Sequence, residues 1–188
     1  MRRLLSVCIL LLVPVLCAEA VPSCRDSATV EEQSWNPPDA VVTGALSRFY
    51  EIDDELTAAL ERHDMVRSQS LAGEYLDLAE HYRCNWNYGN AIHDGNSALG
   101  LVALSSGNTK LAIQYLLRSA QSPGSPQLDS FGPTMALAEA LTKAGEREAV
   151  IAYLRGVHKF WRDDDGQVDA WIKQLSRGVS PNFEMKLL

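Results

Sequence analysis

The side chains best suited to chemistry lie around one loop in the middle of the sequence. His81 and Cys84 are three residues apart at the end of a predicted helix, and His93 and Asp94 follow in the next. Residues three apart on a helix can face one ion, and imidazole, thiolate and carboxylate groups are zinc ligands. This pattern leaves open a small metal- or ligand-dependent enzyme around His81, His93 and Asp94. The alternative is a disulfide at Cys84 and a structural role for His93.

The motifs of the common catalytic classes do not occur in the sequence. It has no Gly-x-Ser-x-Gly nucleophile turn, no phosphate-binding glycine loop and no His-Glu-x-x-His zinc motif. The acidic run 163–165 lacks the spaced ligands and closing glutamate of a calcium loop, and we interpret it as a solvated turn. The acidic residues at 51, 53, 54 and 55 are interpreted as one solvated helix face. We therefore predict a protein with no catalytic reaction, cofactor or metal.

The N-terminus has the parts of a secretory signal peptide. Two arginines precede an apolar stretch over residues 4–16, and Ala18-Glu19-Ala20 supplies the small–x–small pattern that signal peptidase recognises. The stretch of about 13 residues is shorter than the roughly 20 needed to span a bilayer. We predict a signal peptide over 1–20, cleaved after Ala20, and a mature chain with no transmembrane segment. The alternative is an envelope lipoprotein anchored at Cys17, although Leu16 stands where such signals normally have a small residue.

Signal removal leaves two cysteines, Cys24 and Cys84. An even count in an exported chain favours a disulfide, so we predict one between them; the alternative is that both remain thiols. The sequence has no Asn-x-Ser/Thr site, which together with the short signal favours a bacterial periplasm. Cleavage removes two positive charges and one negative, so the net charge changes from −7 to −8. An acidic surface disfavours nucleic acid, and we expect no such partner.

Hydrophobic periodicity predicts an all-α chain of about seven helices. An irregular arm over 21–43, interrupted by prolines and partly anchored by Trp35, precedes one helical domain over 44–178 and a tail over 179–188. Apolar residues recur at steps of three and four, as in amphipathic helices. Asn90 is the expected N-cap of the third helix and Thr109 that of the fourth, and Pro133 is expected in the first turn of the fifth. The predicted ranges are 45–63, 66–83, 90–105, 109–121, 133–144, 146–161 and 168–177.

Small residues and turn residues recur in two of these helix pairs. Gly100, Gly107, Asn108 and Ala112 have the spacing of a tetratricopeptide repeat, which residues 93–160 resemble. In such a repeat the small Gly100 and Ala112 would lie where the third and fourth helices cross, so that the two backbones can approach. The weaker second copy comprises Ala138, Gly145, Glu146 and Val150. The two turn glycines are 38 residues apart, against about 34 in that family. The resemblance implies antiparallel helical hairpins stacked as a short solenoid, with a hairpin lacking the glycines over 45–83.

A second resemblance is to uncharacterised exported bacterial proteins. These contain stretches similar to Tyr88-Gly89-Asn90-Ala91-Ile92-His93 and to PGSPQLDSFGP, which here covers residues 123–133. This resemblance implies a shared fold and carries no activity.

Tetratricopeptide repeats usually bind peptides or proteins in a groove lined by the first helix of each pair. The resemblance therefore implies a protein or peptide partner for this chain. The matching groove positions are Asp94, Ser97, Leu101, Met135 and Glu139, which we expect to be at least partly exposed. None of them carries the cations of a carboxylate clamp. Phe131 could extend the groove, or its loop could cap the fifth helix. Trp86 and Tyr88 could form a recognition surface, or plug the junction between the second and third helices.

Overall fold

The computed structural model describes residues 44–183, and these residues form α-helices with no β-strand. The helices are α1 (Ala45–Glu61), α2 (Met65–His81), α3 (Tyr88–Ser105), α4 (Thr109–Ser119), α5 (Pro126–Phe131), α6 (Ala136–Lys143), α7 (Arg147–Val157) and α8 (Gln167–Ser176). The all-α prediction is confirmed for this part of the chain. The predicted signal peptide, the arm with Cys24, and residues 184–188 lie outside it. Within residues 44–183, no helix has the length and apolar character needed to cross a bilayer.

The described residues contain eight helices where the sequence predicted about seven. The additional helix is α5, which lies in a segment predicted as a loop. Ser125 is its N-cap, and the Ser125 hydroxyl accepts a hydrogen bond from the amide of Leu128 at 2.9 Å. Pro126 occupies the first helical position, where its missing amide costs nothing. The placement of Pro133 was wrong, since α6 begins only after Met135.

Two predicted helix caps were also wrong. Helix α3 begins at Tyr88, so Asn90 lies inside it. The Asn90 side chain is 4% exposed and binds across to α5: it accepts from Ser125 Oγ and donates to Gln127 Oε1 at 2.8 Å. At the start of α4, Asn108 rather than Thr109 is the cap, accepting from the amide of Leu111 at 3.1 Å.

Three connections between helices have the same local geometry. His63, Gly107 and Gly145 all have positive φ, at 55°, 77° and 91°. The amide of each donates to a carbonyl three residues earlier, at 2.9, 2.9 and 3.0 Å. The next amide donates to a carbonyl five residues earlier, at 2.9 Å in all three turns. The predicted helix ranges place a turn at all three positions, although the first has histidine in a conformation that glycine adopts most easily.

Helix α3 is the central element of the described fold. It contacts α1, α2, α4, α5 and α6. It contributes Ala91 and Ala98 to an apolar cluster with α1 and α2, and Ala103 belongs to a second cluster that continues to Phe183. Gly100 lies at a close approach, as predicted, but the neighbour is Leu137 of α6. The sequence therefore identified the need for a small residue and misidentified the partner helix.

Candidate functional site

The predicted groove residues divide into accessible and buried ones. Asp94 and Leu101 on α3 are partly exposed, and the Glu139 side chain on α6 is 48% exposed. Ser97 and Met135 are each only 4% exposed. The expectation of exposure is therefore wrong for these two. Met135 belongs to the second apolar cluster, with its sulfur 3.7 Å from the Tyr153 hydroxyl.

The predicted loop residues also separate. Phe131 is 61% exposed at the end of α5. Trp86 instead stacks on Tyr50 of α1, with ring centroids 5.7 Å apart and an interplanar angle of 17°. Tyr88 packs against the first apolar cluster. The packing of Trp86 and Tyr88 favours the interpretation that they fill the junction between α2 and α3.

His93, the strongest chemical candidate, is fully buried between α3 and α7. Its Nδ1 lies 2.7 Å from Asp94 Oδ1, and its Nε2 lies 3.0 Å from the Tyr153 hydroxyl. The ring of Phe160 packs edge-on against the His93 ring, with the two ring centroids 6.1 Å apart. Burial, assisted by the charge of Asp94, raises the pKa of Tyr153 well above its usual range, so this phenol stays protonated. The trio holds α3 against α7, and neither His93 nor Tyr153 is accessible to a substrate.

The residues of the alternative metal site lie in different surroundings. His81 is exposed at the end of α2, whereas His93 is in the interior. Nowhere in residues 44–183 are three His, Cys, Asp or Glu side chains grouped as metal ligands would be. Cys84 lies in the loop after α2, and because Cys24 is outside the described residues, the disulfide between them stays a prediction.

Sequence reasoning missed the role of Asp53 on α1. The interpretation of the acidic residues as one solvated face is wrong for this residue, because its neighbours Ile52 and Leu56 are buried and Asp53 lies at the edge of that apolar stripe. Burial, together with the negative charges of Asp94 and Asp54, raises the pKa of Asp53 to about 7. Asp53 forms no hydrogen bond or ion pair with any residue in the 44–183 range. A half-buried carboxylate thus lies near Asp94.

We predict that Asp53→Asn stabilises the protein near neutral pH. The ordinary carboxyl pKa is about 4, so between about pH 4 and 7 the folded chain holds a proton that the unfolded chain has released. Stability is then lost as the pH rises through this window. Each tenfold change in a dissociation constant corresponds to about 1.4 kcal/mol. We therefore expect the free energy of unfolding of Asp53→Asn to exceed that of the parent by about 1–3 kcal/mol near pH 8 and to differ little from it near pH 4.

Urea unfolding of the parent and the variant at both pH values measures this effect. The matched control is Asp54→Asn, because Asp54 is the exposed neighbour on the same helix and its charge is the smallest cause of the Asp53 shift, so its removal should give a much smaller gain. An identical pH dependence of stability in the parent and Asp53→Asn would contradict the proposed burial of this carboxylate.

The stretches 88–93 and 122–133 bind each other. Ser122 Oγ donates to the carbonyl of Gly89 at 2.7 Å, and Ser125 Oγ donates to Asn90 Oδ1 at 2.5 Å. The same loop is fixed at its other end, where Asp129 forms an ion pair with Arg162. These stretches are therefore a structural junction between the start of α3, α5 and the end of α7.

This junction determines the position of Phe131. Two residues before it, Asp129 accepts a hydrogen bond from the amide of Arg162 at 3.0 Å. One residue after it, Gly132 lies against the ring of Trp161. Phe131 is thus an exposed aromatic side chain on a backbone that is held on both sides.

No family model, no curated protein and no solved structure matches this chain. Its function must therefore be inferred from the sequence and from the geometry of residues 44–183.

Proposed function

We propose that this chain is an exported scaffold, periplasmic in a bacterium, that binds a protein or peptide partner and carries out no reaction. The observation that carries the proposal is Phe131, which is 61% exposed although its neighbours are fixed. Exposed aromatic side chains held in one position supply much of the binding energy of protein interfaces at little entropic cost.

The local geometry supports a tetratricopeptide-like arrangement. The three turns at His63, Gly107 and Gly145 share one hydrogen-bond pattern, as expected of a repeated unit. Helix α3 contacts α1 on one side and α6 on the other. These three are the first helices of the three pairs, and in such a stack they would line one common face.

The side chains on these helices indicate what kind of ligand would bind. We define the groove face as Asp53, Asp94, Leu101, Phe131 and Glu139. It combines two apolar side chains with three carboxylates, of which Glu139 pairs with Lys143 at 2.6 Å. An acidic face with apolar contacts suits a segment that has an apolar anchor flanked by basic or hydrogen-bond-donating groups.

Photo-cross-linking in the periplasm tests the proposal. A benzophenone amino acid at position 131 should capture a partner, whereas the same group at Val179, an apolar side chain 53% exposed outside the groove face, should not. The partner identified in this way is then purified and titrated against the mature chain.

We expect Phe131→Ala to weaken binding by about 10–100-fold, or about 1.4–2.8 kcal/mol, and Leu101→Asp to abolish it without unfolding the chain. Val179→Ala should leave the affinity unchanged. Equal cross-linking from both positions, or affinity unaffected by both groove variants, would place the binding surface elsewhere.

A further inference from the structure

The outer surface of α2 has a groove with a volume of about 670 Å³. The described residues that line it are Val66, Gln69, Ser70, Gly73, Glu74, Asp77, Leu78 and His81. All of them belong to α2, whose opposite side packs into the first apolar cluster through Leu71, Ala72, Tyr75 and Ala79. Because one helix presents a convex surface, this groove lacks a second wall among residues 44–183.

Gly73 is the unusual residue of this groove. It lies in the middle of α2, where glycine is a poorer helix former than any residue except proline. A Cβ atom built on Gly73 would meet no described atom within 4 Å, so packing inside the described fold does not require glycine here. A glycine at this position is explained if another segment approaches the backbone of α2.

The chain itself contains a segment that fits. Residues 33–38, Gln-Ser-Trp-Asn-Pro-Pro, lie in the arm outside the described residues and are uncharged, between Glu32 and Asp39. Glu74 already pairs with Arg48 at 2.6 Å, and an uncharged segment avoids repulsion from the other acidic residue of the groove, Asp77. Two consecutive prolines favour extended backbone. Six extended residues span about 20 Å, and the groove from Val66 to His81 extends for roughly 22 Å along the helix.

The arm can reach this groove from its point of attachment. It joins α1 at Gly44, and the start of α1 lies beside the end of α2, because the ring of Phe49 stacks on that of Tyr82, the residue that follows α2, with centroids 5.2 Å apart. Gly73 lies roughly 12 Å from His81 along the helix. Trp35 is nine residues before Gly44, a reach of up to about 30 Å.

We propose that residues 33–38 of the arm dock along the outer face of α2, with Trp35 over Gly73. A second copy of the chain is the competing occupant. It is disfavoured because a two-fold axis through this groove would place Asp77 near its own copy.

Fluorine NMR of the mature chain labelled with 5-fluorotryptophan tests this proposal. The sequence has four tryptophans, and the three others, Trp86, Trp161 and Trp171, lie in the described fold. Loss of one resonance in Trp35→Phe identifies the Trp35 signal. We expect the chemical shift of Trp35 in the folded protein to differ from its value in the protein unfolded in urea. In Gly73→Leu it should move to the urea position while the other three resonances stay unchanged.

Two controls accompany Gly73→Leu. Gly73→Ala adds only one carbon and should move the Trp35 signal only part of the way towards its urea position, and Glu80→Leu, which places a leucine at an exposed position of α2 outside the groove, should leave the signal unchanged. A Trp35 signal at the urea position in the parent would overturn the proposal, as would one that does not respond to Gly73→Leu. If light scattering shows a dimer that Gly73→Leu dissociates, the occupant is a second copy and the proposal is wrong.

Discussion

Gly89→Ala should destabilise the protein by about 3 kcal/mol, near the upper end of overpacking effects. A Cβ atom at this position would lie 1.9 Å from the carbonyl oxygen of Gly124, which is a backbone atom. The loop cannot retreat, because Gly124 itself rests against Phe160 on its other side. The substitution must also disturb the hydrogen bond from Ser122 to the Gly89 carbonyl. Thermal unfolding should show a midpoint lower by on the order of 10 °C.

The matched control for this prediction is Gly73→Ala, a glycine-to-alanine change within a helix that meets no described atom within 4 Å. Because alanine is the better helix former, Gly73→Ala should be neutral or slightly stabilising. Equal midpoints for Gly89→Ala and Gly73→Ala would show that α3 and the loop at 122–125 are not in close contact.

Gly100→Leu is the second substitution with a large expected effect. Its Cβ atom alone would lie 2.2 Å from Leu137 Cδ2, and Leu137 is 1% exposed, so the leucine must force α3 and α6 apart. We expect a cost of about 1–3 kcal/mol. Urea denaturation of the parent and the variant measures the cost directly.

The neighbour in this case is a side chain, so the cost should be partly relieved by Leu137→Ala. On its own, Leu137→Ala should cost about 2–5 kcal/mol through the cavity that it leaves. In the double variant the leucine at position 100 can fill that space. The stability lost in the double variant should therefore be smaller than the sum of the losses in the two single variants, by about 0.5–3 kcal/mol. Additive costs across the four proteins would mean that Gly100 and Leu137 are not in contact.

The sequence was sufficient for the helical class and for most helix positions, because amphipathic periodicity is a local property. It was misleading where a residue has two possible uses. Asn90 has the side chain of a helix cap, but its partners Ser125 and Gln127 are more than thirty residues away. The turn after α1 was predicted in the right place, but the left-handed conformation of His63 was not, because that conformation favours glycine.

The candidate site was less predictable than the fold. Ser97 and Met135 have the right spacing for a groove, yet spacing does not reveal how closely the next helix packs, and both are buried. Asp53 was assigned to solvent because it stands among other acidic residues. The contrary signal was its position at the edge of an apolar stripe, where the packing of neighbouring helices determines how much of the side chain is exposed to solvent.

The division of the interior at α3 has a consequence for how the molecule opens. Apolar residues of α1 and α2 form one cluster, those of α4 to α8 form another, and α3 contributes to both. Among the described helices, α1 and α2 contact only each other and α3. The end of the molecule formed by α1 and α2 can therefore open as a foldon of its own. Its opening would leave the residues of the second cluster in contact with one another.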